Sequence, residues 1–245
     1  MNTRKILTYI ILLVVMLGNF TACSDSDNYS LNDFRINIAT VTYNDSQSYS
    51  LLLDNGVKLW PAASNIYYKP HDNQRVFLNY TILSDKQGGY DHYIKINDMW
   101  DILTKPIIEL TEANADSIGH DPIKINDFWI GNHFINAEFY FNYGGVRPHA
   151  INMVQNLQKK QIKNDTLKLE LRHNSYNSLS DRLFSGLASF DLKPFRKEDK
   201  DSIPIQIKVK DWKGEQTYNL MYKYKHTNKA EVNAKIPTIT SNQYR

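Results

Sequence analysis

The stretch from Ile203 to Lys210, "IPIQIKVK", sets Ile203, Ile205, Ile207 and Val209 against Gln206, Lys208 and Lys210. A strict two-residue period puts the apolar set on one side of a pleated strand and the polar set on the other; a helix, with its longer period, cannot sort them so. Pro204 adds that this strand either lies at a sheet edge or has only just begun there. The same alternation returns in "RINIATVTY", "QRVFLNYTILS", "YDHYIKINDMWDILT", "HFINAEFYFNY" and "TLKLELRH". Sixteen Tyr, ten Phe and four Trp against only ten Gly suit such half-buried pleated surfaces. The chain is therefore expected to be all-β.

Two blocks of strands are separated by "LTEANADSIGHDP", a polar segment carrying Gly119 and Pro122. In the first block, Asp54-Asn55-Gly56 lies between short apolar runs and predicts a tight hairpin, because such turns need residues that tolerate positive φ. Five strands in about 75 residues suit an OB-like barrel, although the pattern alone fits an SH3-like barrel as well. In the second block, seven alternating segments divided by turns such as Gly144-Gly145 and Lys213-Gly214 suit a β-sandwich. The expected layout is a five-stranded OB-like barrel over residues 33–112, a linker over 113–122 and a seven-stranded β-sandwich over 123–225. Residues 226–245 carry few large apolar side chains and read as a poorly ordered tail.

The amino terminus has a different logic. Arg4 and Lys5 precede an apolar run from Ile6 to Leu17, and small Thr21 and Ala22 stand before Cys23, the only cysteine of the 245 residues. The run is too short to cross a bilayer of about 30 Å, so residues 1–22 read as a cleaved export signal. A lone cysteine cannot form an internal disulfide. At this position it is expected to carry a lipid anchor, because "FTAC" resembles the lipobox of bacterial lipoproteins, with Phe20 where Leu is usual. Residues 23–32 then form an acidic tether. The anchor makes a membrane the first expected partner.

Charge excludes one class of ligand. Without Arg4 and Lys5, 27 basic residues face 26 acidic ones, and the first block, Leu31 to Glu112, carries 7 Lys and Arg against 10 Asp and Glu. Phosphate binding depends on cations, so nucleic acid is not an expected partner. The second block, Ser117 to Lys225, is basic, with 17 against 12.

Several segments in order, among them "LLLDNGVKLWPA", "RVFLNYTILSD", "DSIGHDPIKINDFWIG", "FNYGG", "HAINMV", "LRHNSYN" and "GLASFDLKP", resemble the NigD-like lipoproteins of the Bacteroidetes. The resemblance runs from about Asp25 to Lys225 and implies a lipidated signal, an OB-like first domain and a carboxy-terminal sandwich. It brings no catalytic or ligand-binding residues. The family name derives from a bacteriocin gene cluster, which implies an immunity role. In that phylum a short acidic segment after the lipidated cysteine directs lipoproteins to the outer face of the outer membrane, and Ser24, Asp25, Ser26 and Asp27 resemble it. Ser117, Thr166 and Ser202, each after Asp and before an apolar residue, resemble O-glycosylation acceptors of exported proteins there.

No nucleophile elbow, phosphate-binding glycine loop, HExxH or CxxC occurs, so no catalytic residue, metal site or cofactor is expected. The seven histidines stand singly and read as satisfied strand or loop residues, with His149 and His173 weighed as a metal site assembled across the sandwich; Glu138 and Glu170, weighed as a carboxylate pair, read as solvent-facing strand positions. Seven aromatic residues fall between Phe128 and Tyr143. In the strand from His133 to Tyr143, Ile135, Ala137, Phe139 and Phe141 read as the core face, which leaves Phe134 and Tyr140 as candidate ligand contacts on the opposite one. The function expected is a non-catalytic lipoprotein of the outer membrane that acts as a binding or interaction protein of unidentified ligand, with a protein or glycan as partner, and with a glycan-binding accessory protein and a cryptic hydrolase as alternatives.

Overall fold

The computed structural model describes residues 30–45, 48–145, 147–157, 165–178 and 180–225. The expected export signal, Cys23, Ser24, Asp25, Ser26, Asp27 and the tail 226–245 lie outside them.

Strands β1(Phe34–Tyr43), β2(Tyr49–Leu53), β3(Lys58–Ser64), β4(Arg75–Ser84) and β5(His92–Asp101) close into a barrel in the order β1-β2-β3-β5-β4. Only β3 and β5 run parallel; the other neighbours are antiparallel. The expected hairpin forms. Gly56 takes φ 85°, and Leu53 N–H donates to Val57 O at 2.9 Å while Gly56 N–H donates to Leu53 O at 2.9 Å. Alternation turns Leu51, Leu59, Leu78, Ile94 and Ile96 inward, where all are fully buried.

The barrel ends at β5, earlier than residue 112. Strands β6(Leu103–Pro106) and β7(Ile108–Glu109) already belong to the second body, and helix α1(Glu112–Ile118) occupies half of the expected linker. There follow β8(Lys124–Gly131), β9(Phe134–Asn142), β10(Ala150–Gln155), β11(Leu167–Asn174), β12(Leu183–Asp191), β13(Ser202–Asp211) and β14(Gly214–Lys223). They build a sandwich of a five-stranded sheet, β14-β13-β11-β10-β7, over a four-stranded one, β6-β12-β9-β8. Nine strands rather than seven arise because β6 and β7 span four and two residues, too short to show a period. Phe139, Phe141, Ile151, Met153, Leu169, Phe190, Ile205 and Ile207 fill the space between the sheets. Strand β13 is internal, and Pro204 lies before its paired stretch with β11, which starts at Ile205; the missing N–H is tolerated as a strand start.

The two bodies meet around Arg75, whose side chain is 0% exposed. Its Nη1 donates to Asp54 Oδ1 at 2.5 Å and to Thr40 Oγ1 at 2.9 Å; its Nη2 donates to Asp54 Oδ2 at 2.8 Å and to Asn136 Oδ1 at 3.1 Å. The Phe134 ring lies beneath the guanidinium, 4.9 Å from its carbon. Asn132 Nδ2 donates to Thr40 Oγ1 at 2.8 Å, and Ser189 Oγ donates to Asn136 Oδ1 at 2.7 Å. Beside this polar knot Ile38, Phe77 and Ile102 from the barrel side pack with Leu187 and Trp129 of the sandwich. Gly131 closes the approach: a Cβ there would stand 2.0 Å from Asp54 Oδ2.

A paired buried charge tolerates loss of its partner poorly, because the remaining ion stays desolvated. Arg75→Ala is expected to lower stability by about 3–5 kcal/mol, read as a drop in thermal midpoint on the order of 10 °C. Gly131→Ala is expected to lower the midpoint in the same direction by forcing Asp54 off the guanidinium; an unchanged midpoint in both variants would show that the joint carries no strain or charge.

Candidate functional site

Two arrangements have the chemistry of a site: a buried histidine pair at one end of the sandwich and an aromatic cluster on the barrel. The histidines come together through register. His173 sits on β11 opposite Ile151 of β10, which brings His149, one residue before β10, against its ring. His149 Nδ1 lies 3.0 Å from His173 Nε2, and His173 Nδ1 lies 3.0 Å from Pro122 O. A carbonyl can only accept, so His173 carries its proton on Nδ1, its Nε2 accepts, and His149 donates from Nδ1. His149 Nε2 is thereby an acceptor; it is buried and has no hydrogen-bond partner among the described residues. Phe141 and Tyr143 pack on the His149 ring at centroid distances of 5.2 and 5.3 Å.

Burial first, then the charge of His173, pushes His149 down to about 4, against a pull upward from Asp121. His173 is also lowered by burial, with the Pro122 carbonyl and Asp121 acting the other way. Asp121 is itself tied to Ser175, whose N–H and Oγ donate to its Oδ2 at 2.8 and 2.6 Å. These bonds hold its carboxyl below the usual range although burial opposes them. The pair is thus a neutral relay that ties the β9–β10 loop through β11 to the segment before β8. Arg147 stacks on the Tyr176 ring at 3.5 Å, and Gly144 N–H donates to Ser178 Oγ at 3.0 Å across the β9–β10 and β11–β12 loops. The sequence favoured histidines satisfied by hydrogen bonds over a metal site at this pair; the described residues contain no group of three or more His, Cys, Asp or Glu able to hold a metal ion. Glu138 and Glu170 stay apart. Glu138 accepts from Asn126 on the four-stranded sheet, and Glu170 takes Arg172 Nε at 2.9 Å on the five-stranded one.

On the barrel, Trp60 and Tyr93 are register partners between β3 and β5. Their neighbours Leu59 and Ile94 point into the core, so both rings face outward. Tyr90, in the turn before β5, joins them: its ring centroid is 5.0 Å from that of Trp60 and 6.3 Å from that of Tyr93. All three are half-buried. On the neighbouring pair β4 and β5, Asn97 Nδ2 donates to Asn79 Oδ1 at 3.2 Å and to the buried Thr81 Oγ1 at 3.0 Å. Sequence reading missed this cluster, since a parallel pairing of β3 with β5 leaves no mark in either strand; the aromatic residue beside each apolar core position was the only clue.

The aromatic positions singled out from sequence behave otherwise. Phe134 is 1% exposed under Arg75 and offers no surface to a ligand, because the second face of β9 packs against the barrel instead of solvent. Tyr140 is half-buried with Lys124 Nζ 5.7 Å from its ring centre. Ser117 is exposed on α1, with its hydroxyl donating to Asn114 O at 2.9 Å. Thr166 precedes β11 and Ser202 opens β13, both half-buried.

Comparison with known proteins follows the same division. Family models match at residues 38–102, the NigD-like N-terminal OB domain, and at residues 106–222, the NigD-like C-terminal beta sandwich domain. A crystal structure from Parabacteroides distasonis described as toxin-related is 36% identical, with TM-score 0.69, covering 78% of this chain and 94% of that one. A protein of unknown function from Bacteroides vulgatus is 29% identical, with TM-score 0.70, covering 83% and 96%. A NigD-like immunity protein from Bacteroides caccae, 19% identical with TM-score 0.59, shares the fold over 80% of this chain and 99% of its own. No curated protein matches the chain.

The relay makes stability pH-dependent. Between pH 6.5 and about 4 the unfolded chain takes up a proton at His149 that the folded pair refuses, so stability is full above this window and falls as pH drops through it. The loss is expected to be on the order of 3 kcal/mol by pH 4. Thermal melts from pH 7 to 4 check this, and H149F is expected to flatten the profile; an equal slope in wild type and H149F contradicts the relay.

Proposed function

We propose, on the premise that the chain belongs to the NigD-like family, that it is a non-catalytic binding protein held to the outer membrane by a lipid on Cys23 and protecting its cell against a bacteriocin. The observation that carries the non-catalytic part is how the reactive side chains are engaged. Asp54 is held by Arg75, Glu170 by Arg172, Asp121 by Ser175, and His149 by His173. Each is committed to a structural contact, which leaves recognition to the surface. The likeness to a NigD-like immunity protein supports the protective role, and a second similar structure, from Bacteroides fragilis, is described as a lipoprotein. No described helix is long and apolar enough to cross a membrane.

A second reading, favoured by the outward cluster of Trp60, Tyr90 and Tyr93, is glycan binding. Aromatic faces stack on sugar rings.

Deleting the gene is expected to raise sensitivity to bacteriocins of neighbouring strains, with wild type but not Cys23→Ser restoring resistance. Unchanged sensitivity removes the immunity role. Cys23→Ser is also expected to move the protein from the membrane to the soluble fraction, and retention there contradicts lipidation. For the glycan reading, Trp60→Ala is expected to weaken binding on a glycan array at least tenfold; an array silent for the wild type at concentrations that register micromolar affinity eliminates it.

A further inference from the structure

Sheet edges are sites of unwanted pairing, and proteins blunt them by brevity, bulges, proline or charge. The barrel is closed. Of the four sandwich edges, β6 and β7 are four and two residues long, and β8 is broken by a register shift between Ile125 and Asp127 and carries Lys124 and Asp127. Strand β14 has none of these protections. It runs ten residues, pairs with β13 in unbroken register from Gly214 to Lys223, contains no proline, and bears no charge between Glu215 and Lys223. Its far side has no strand partner among the described residues. Met221 is 51% exposed on it, and Tyr218 and Leu220, which face the sandwich interior, remain half-buried.

The occupant follows from the charges. Laid antiparallel on a second copy of itself about a two-fold axis at Asn219, β14 brings Glu215 opposite the partner's Lys223 at both ends. Thr217 then meets the partner's Met221, and Tyr218 the partner's Leu220. Residues of equal parity meet, so each side chain finds a neighbour on its own face of the sheet. Glu215 keeps the bond it accepts from Lys208 Nζ at 2.8 Å within its own sheet, and Asn219 Oδ1 stays within reach of Gln206 Nε2 at 3.3 Å. Such an interface is self-complementary, as two-fold symmetry requires.

We propose that the protein self-associates through β14, joining two five-stranded sheets into one continuous ten-stranded sheet centred on Asn219. This surface is separate from the barrel aromatics, and its test is independent of the binding role.

Sedimentation of the full chain carrying Cys23→Ser, so that neither lipid nor disulfide contributes, is expected to show a monomer–dimer equilibrium in the micromolar range. Asn219→Lys sets two ammonium groups face to face at the axis and is expected to weaken the dimer at least tenfold. Glu215→Lys and Lys223→Glu, each alone, create two like-charge contacts and are expected to weaken it about tenfold. Together they restore the pairs and should return affinity to within about threefold of the parent. Circular dichroism melts confirm that each variant is folded; should Asn219→Lys fail to fold, the charge-swap set still decides. A monomer at every concentration up to about 1 mM overturns the proposal, as does a dimer that ignores the substitutions or a double swap that does not recover.

Discussion

The fold depends on one guanidinium that water cannot reach. An arginine removed from solvent loses several kcal/mol of hydration, and only close partners offset that. Arg75 draws its partners from separate parts of the chain: Thr40 on β1, Asp54 in the β2–β3 turn, Asn136 and the Phe134 ring on β9. Ser189 on β12 and Asn132 before β9 then hold Asn136 and Thr40 in place. A barrel and a sandwich that slid past one another would keep the Arg75–Asp54 pair, which lies within the barrel, but would strip the guanidinium of Asn136 and the Phe134 ring. The polar knot thus specifies the docking, while Ile38, Phe77, Ile102, Leu187 and Trp129 beside it supply the apolar contact.

That arrangement explains the form of the sequence around it. The Asp54-Asn55-Gly56 turn does more than reverse the chain, since it aims a carboxylate at the joint. Gly131, ending β8, must lack a side chain for that carboxylate to fit. With the joint fixed, the surface carries an outward aromatic cluster on the barrel and an unblunted edge on the sandwich. The three solved structures compared share this architecture over 94%, 96% and 99% of their own length, at 36%, 29% and 19% identity.

Much of the fold was legible because period-two alternation is a local property, and β13 shows it without exception, alternating half-buried and buried from Ser202 to Ile207. The Asn-Gly hairpin was legible for the same reason. Strand order was not, because β6, β7 and β11 pair in parallel with strands distant in sequence. The domain boundary was set too late because a two-residue strand has no period to read. Phe134 was assigned to a wet face on the assumption that β9 has one; a strand packed between a sandwich core and a neighbouring barrel has none near its start. His149 and His173 meet on neighbouring parts of one sheet instead of across the sandwich, and burial and the Pro122 carbonyl make them a hydrogen-bonded relay.

The central claim is that the Arg75 knot makes one cooperative body of barrel and sandwich. Differential scanning calorimetry measures this directly: the account predicts a single transition at pH 7 whose calorimetric and van't Hoff enthalpies agree. Two resolved transitions, one for each body, would contradict it.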